Sequence, residues 1–80
     1  MTTREAVVAR ILELCGARGF SINHLAYISA VPSSTLKNII NGNSRNTGIV
    51  TLKMLCDGFG ITLVDFFNTD IFISLEQELK

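Results

Sequence analysis

The residues with the most chemical potential lie together in the middle of the chain, where Ser33 to Arg45 read S-S-T-L-K-N-I-I-N-G-N-S-R. If this stretch is helical, Leu36, Ile39 and Ile40 fall on one side, and Ser33, Ser34, Lys37, Asn38 and Asn41 fall on the other. Every outward residue can form hydrogen bonds, and none is acidic. An Asn amide can pair two-pronged with adenine, a Ser hydroxyl suits several base edges, and a Lys ammonium suits guanine or a phosphate, so this face fits a DNA major groove. Asn41, Asn43, Ser44 and Arg45 extend it as a polar, basic segment able to clasp phosphates through side chains and free N–H groups. Taken alone, the pattern fits an ordinary solvated helix face equally well.

Other chemistries have less to stand on. The single histidine, His24, falls on the polar side of its segment, where a solvated surface residue is a better reading than a general base. His24, Cys15 and Cys56 lack the close spacing that puts two ligands on one metal, so no metal or other cofactor is expected. The glycine-rich phosphate loops and the G-x-S-x-G nucleophile turn are missing from the sequence. Paired carboxylates in an apolar pocket are missing too, since Glu76 and Glu78 lie in a tail expected to be solvated. The chain is therefore not expected to be an enzyme, and no small-molecule substrate is evident.

Charge is unevenly spread. Seven basic and seven acidic residues cancel overall. Yet Leu14 to Cys56 carries Arg18, Lys37, Arg45 and Lys53 with no acid, while from Asp57 onward Asp57, Asp65, Asp70, Glu76 and Glu78 face Lys80 alone. A basic middle and an acidic end speak to partners and not to fold.

The elements that must hold the candidate face can be read from caps and periodicity. Thr2 and Glu5 form a capping box ahead of a first helix, with Val8, Ile11, Leu12 and Cys15 at helical spacing and Val7 and Leu14 widening the stripe. Arg4, Arg10, Glu13 and Arg18 are placed on the opposite side, and Gly19 is suited to end the helix. Ser21 caps a short second helix through Leu25, Ala26 and Ile28 that ends near Ser29. Val31-Pro32 interrupts it, because the residue before a proline is pushed out of the helical region. A third helix restarts at Ser33-Ser34-Thr35 and stops at Asn41-Gly42. So short a connection favours a crossed helix-turn-helix over an antiparallel pair. Val50, Leu52, Leu55, Cys56 and Phe59 form a fourth helix closed by Gly58 or Gly60. Thr62 and Asp65 box the start of a fifth, with Leu63, Phe66 and Phe67 as its buried face. Glu76 to Lys80 reads as a weak terminal helix. Ile71-Phe72-Ile73 is too short and isolated to pair as a strand.

At 80 residues, with 48% hydrophobic and 18% charged, this is one small all-α domain. A domain of this size hides only about 60% of its unfolded surface, which leaves little room for a deep pocket. Cys15 and Cys56 sit in apolar helical patterns and read as small core residues in preference to a disulfide. No apolar run nears the roughly 18 residues needed to span a bilayer, and no secretory pattern opens the chain, so no membrane is involved and the cytoplasm is expected.

The ordered run F-S-I-N-H-L-A, A-V-P-S-S-T-L-K-N-I-I-N-G and L-K-M-L-C-D-G-F-G-I-T-L-V-D-F-F resembles the phage-repressor, Cro and XRE family of helix-turn-helix DNA-binding domains. The resemblance spans roughly Ala6 to Asn68. Its skeleton is L-A-x3-[AG]-x5-L through Leu25, Ala26, Ala30 and Leu36, closed by Ile39 and Asn41-Gly42. The resemblance implies a compact, lambda-repressor-like bundle of five short helices over residues 1–68, with residues 69–80 as a C-terminal extension. It also implies a sequence-specific transcriptional regulator, acting as a repressor homodimer on double-stranded DNA with the third helix in the major groove. Carried over by position, Ser33, Ser34, Lys37 and Asn38 read bases. Asn41, Asn43, Ser44 and Arg45 meet phosphates, and Thr35, Ser21 and Asn23 are additional contacts.

The sequence departs from the family pattern at several points. Ile22 stands where a polar residue such as Gln is common, which removes one backbone contact. Ala30 replaces the usual turn glycine, at a cost of about 1 kcal/mol if its φ is positive. Pro32 replaces a capping Ser or Thr, Ile40 a residue that is often acidic, and the loop before the fourth helix is longer than in compact phage domains. With Lys37, Arg45 and Lys53 as the cations near the surface, a monomer is expected to bind DNA weakly. Ile71, Phe72, Ile73, Leu75 and Leu79 exceed what five helices can cover, which fits a dimer interface or a tail folded back over the first or fifth helix. The rival reading is a protein-interaction or antitoxin-like module on the same scaffold, without strong DNA binding.

Overall fold

The computed structural model describes residues 1–43 and 46–79. Its elements run α1 (Thr3–Arg18), α2 (Ile22–Ser29), α3 (Ser33–Ile40), α4 (Ile49–Phe59), α5 (Leu63–Phe67) and a 3-10 turn at Asp70–Phe72. There is no strand among the described residues. The all-α, five-helix expectation is met.

The helix boundaries follow local chemistry. Thr2 Oγ1 accepts from the N–H of Glu5 at 3.2 Å, and Glu5 Oε1 accepts from the N–H of Thr2 at 2.8 Å. These bonds from Thr2 hold the Glu5 carboxyl below its ordinary range. Gly19 at φ 67° and Gly60 at φ 74° end α1 and α4 in the left-handed conformation. Gly60 is therefore the stop of α4, and Gly58 lies inside the helix. A Cβ on Gly58 would stand 3.0 Å from Ser29 Cβ and 3.2 Å from Ser29 Cα. That glycine lets α4 pass close against the end of α2. Thr62 and Asp65 box α5 as expected.

The core takes one or two fully buried side chains from each helix: Ile11, Leu25, Leu36, Leu55, Cys56 and Phe66. Each is worth about 1.5–3 kcal/mol relative to an exposed position. Three expectations about buried faces need correction. On α1 the covered stripe is Ala6, Val7, Ile11, Leu14 and Cys15; Val8 is half-buried and Leu12 exposed. Both stripes have helical spacing, and packing against the other helices selects the first. On α4, Val50 is exposed at 71%, because the first turn projects beyond the bundle. On α5, Phe66 is the fully buried ring, while Leu63 is half-buried and Phe67 sits at the surface boundary.

The tail also differs from expectation. Residues 76–79 form no helix, and Lys80 lies outside the described residues. Phe72 instead turns back onto α5, its ring 6.0 Å from that of Phe66 and 4.9 Å from that of Phe67. Ile73 and Leu79 stay exposed. Beyond the 3-10 turn, the N–H of Glu76 donates to the Met1 carbonyl at 3.2 Å, and Thr3 Oγ1 donates to Glu78 Oε2 at 2.9 Å. Side-chain and backbone bonds thus hold this segment to the start of α1 in place of helical ones.

Arg10, placed on the solvated side of α1 by periodicity, reaches across to α5. Its Nε donates to the Phe66 carbonyl at 2.8 Å and a terminal nitrogen donates to the Asp65 carbonyl at 2.9 Å, with Glu13 pairing the remaining nitrogen. A five-residue helix leaves most of its carbonyls without helical partners, and the guanidinium supplies two of them.

Candidate nucleic-acid interface

Two eight-residue helices, α2 and α3, meet at a three-residue turn. Ser21 caps α2, its Oγ accepting from the His24 N–H at 3.0 Å. The turn then bends through Ala30 at φ 58°, the positive-φ residue other than glycine among the described residues. Left-handed backbone crowds a Cβ, so the strain anticipated for Ala30 is present. Val31, 3% exposed, plugs the turn into the core. Pro32 opens α3 without a side-chain cap, so no side chain there accepts from the first N–H groups of that helix.

Leu36 and Ile39 are buried and Ile40 is half-buried, which fixes the rotation of α3 about its axis. The opposite face, Ser33, Ser34, Thr35, Lys37 and Asn38, is exposed. Among the described residues, none of these five side chains is engaged in a hydrogen bond or ion pair. Asn41 ends the helix with right-handed geometry, Gly42 turns the chain at φ 78°, and the Asn43 N–H donates back to the Asn38 carbonyl at 3.0 Å. Asn41 and Asn43 are exposed beside the end of α3. Ser44 and Arg45 lie outside the described residues. Ser21 and Asn23 are exposed at the start of α2.

Electrostatics narrows the basic middle of the chain. The Arg18 guanidinium stands 5.6 Å from the centre of the Phe59 ring. Lys53 pairs with Asp57 one turn along α4. Of the cations near α3, Lys37 is the one without a charged or aromatic partner among the described residues. Arg4, which periodicity assigns only to a solvated side, lines the same cleft as Asn43 and Asn46. That neighbourhood joins distant parts of the chain and has no local sequence signal.

Among the described residues, the other groups with chemical potential do not assemble a site. Cys15 and Cys56 are buried free thiols, and burial pushes both above the ordinary thiol range. Among the described residues, no group of three metal-ligating side chains comes together, and no helix is long and apolar enough to cross a membrane.

An exposed polar α3 pinned by Leu36 and Ile39 behind a turn from α2 defines a helix-turn-helix domain. The chain belongs to the Cro/C1-type HTH DNA-binding domain family, which it matches over residues 10–70. It is also similar to the crystal structure of prophage Lp1 protein 11, with 28% identity, a TM-score of 0.81, and coverage of 94% of this chain and 100% of that one. No curated protein matches the chain.

Proposed function

We propose that the protein is a sequence-specific DNA-binding transcriptional regulator that acts as a repressor homodimer in the cytoplasm and has no catalytic step. The observation that carries the proposal is the exposed, acid-free face of α3 in a Cro/C1-type domain, with its side chains free to bond outward. Ser33, Ser34, Lys37 and Asn38 read base edges in the major groove. Thr35, Asn41, Asn43, Ser44 and Arg45 hold the phosphates, with Ser21 and Asn23 in support. Residues 1–68 make up the DNA-binding unit, and residues 69–80 are an extension that covers core and borders the dimer contact.

The homodimer reading draws on exposed apolar residues at one end of the molecule. Val64 on α5 is 75% exposed and Ile73, just past the Phe72 that packs on α5, is 77% exposed. Leu63, Val64 and Phe67 line a shallow concavity there. Apolar exposure of this kind marks interfaces, and two protomers double the few charged contacts each can make.

Selection from a random duplex library at about 0.1 M salt tests the reading. Enrichment of an inverted repeat with half-sites about 10 bp apart is the expected result. Within that site, Asn38→Ala should relax preference at one base position at a cost of about 1–3 kcal/mol, and Arg45→Ala should weaken all sequences alike. No enrichment from folded protein would reject it. One observation favours the rival interaction module: Arg18 and Lys53 are already partnered within the chain. A heparin column at low salt separates the two, since the DNA binder is retained and the module passes through.

A further inference from the structure

The acidic tail ends beside the segment proposed to meet phosphates. One open cleft is bordered by Arg4 from the first turn of α1, by Asn43 and Asn46 from the segment after α3, and by Glu76 and Glu78 from the tail. The tail is held there by specific bonds. The Glu76 N–H donates to the Met1 carbonyl at 3.2 Å, and Glu78 accepts from Thr3 Oγ1 at 2.9 Å. The Glu76 carboxylate is 3.4 Å from the Met1 amino group, with 64% of its side chain exposed. Both carboxylates therefore keep a wet face toward the cleft, and Arg4 is the cation among its described lining residues. The two carboxylates offset the two positive groups beside them, Arg4 and the Met1 amino group, so a phosphate approaching Asn43 and Asn46 meets no net attraction from these described residues.

We propose that residues 76–78 are a built-in electrostatic brake on DNA-backbone binding. The proposal rests on the DNA-binding reading and deepens it. Phosphate contact carries no sequence information, so the carboxylates weaken attraction to every duplex by the same factor. Stable occupancy then depends on the base contacts of α3, and sites lacking those contacts are released.

The test compares the full chain with Glu76→Gln/Glu78→Gln in titrations of a random-sequence duplex and of the selected site. A second pair, Glu13→Gln/Asp70→Asn, changes net charge equally without lining the cleft. Glu13 stands about 13 Å along α1 from Arg4, beyond the screening length of roughly 8–10 Å. The tail pair should raise affinity about fivefold at about 50 mM salt for both duplexes, and less than about twofold at about 300 mM. The second pair should change it less than about twofold at either salt. Glu78→Gln alone, which retains an oxygen for Thr3, should give part of the gain. Equal gains from both pairs, or no gain from the tail pair while the unaltered chain binds, would overturn the brake alone. If neither the chain nor any variant binds duplex, the DNA-binding reading falls and the brake falls with it.

Discussion

Ala30 shows how one residue sets the aim of the candidate interface. Its φ of 58° turns the chain between α2 and α3, and every exposed side chain of α3 is placed by that turn. A glycine adopts this conformation without the Cβ clash, so Ala30→Gly should stabilise the domain by about 1 kcal/mol. For a chain of this length that corresponds to a rise in Tm of about 4–8 °C, measurable by thermal circular dichroism. An unchanged or lower Tm would mean that the extra freedom of glycine in the unfolded chain cancels the relief. Arg10 makes a different point at the same scale. A guanidinium that periodicity assigns to solvent is committed to the carbonyls of Asp65 and Phe66, and so is withdrawn from any role with DNA.

Among the elements, the crossing of α2 and α4 has the least slack. Ser29 is the buried polar residue of the core among the described residues, its hydroxyl donating to the Leu25 carbonyl at 2.6 Å, and Gly58 faces it across the crossing. A methyl at Gly58 would meet Ser29 backbone at 3.2 Å and 3.3 Å, atoms that cannot rotate away. Gly58→Ala gains about 1 kcal/mol of helix propensity but forces the helices apart at a cost of about 1–3 kcal/mol. The expected outcome is a net loss, seen as a lower urea midpoint with an unchanged slope. A gain would show that α4 can slide without penalty. Because α2 also supports α3, the same change should weaken DNA binding even though Gly58 is remote from the proposed contacts.

For the whole molecule, the proposed homodimer requires a surface through which two domains meet on one operator. Five helices and a 3-10 turn leave Val64 and Ile73 uncovered at the α5 end. Val64→Glu should shift the sedimentation mass from dimer to monomer at concentrations of about tens of micromolar, with helical content unchanged. The selected DNA should shorten from an inverted repeat to a single half-site. If the mass is unaffected, the dimer contact lies elsewhere. With Arg10, Arg18 and Lys53 already partnered within the chain, the electrostatic term is modest, so the proposed pairing of protomers and the proposed brake at Glu76 and Glu78 act on the same small quantity from opposite sides.

Much of this was legible from residues alone because it depends on near neighbours. Caps at Thr2, Ser21 and Thr62, the stop at Gly19 and the break at Pro32 involve groups within a turn of each other, and the outward face of α3 follows once Leu36 and Ile39 point inward. Tertiary structure decided what local pattern leaves degenerate. Val7-Ile11-Leu14 and Val8-Leu12 both lie at helical spacing, and contact with the other helices, not the spacing, determines that the first is covered and Leu12 is not. The same holds for Gly58 against Gly60, since a stop and a close approach both call for glycine. The partners of Arg10, Arg18 and Phe72, and the meeting of Arg4, Asn43 and Glu78 around one cleft, join residues far apart in the chain. Such pairings have no local signature, because they exist only after the helices have packed.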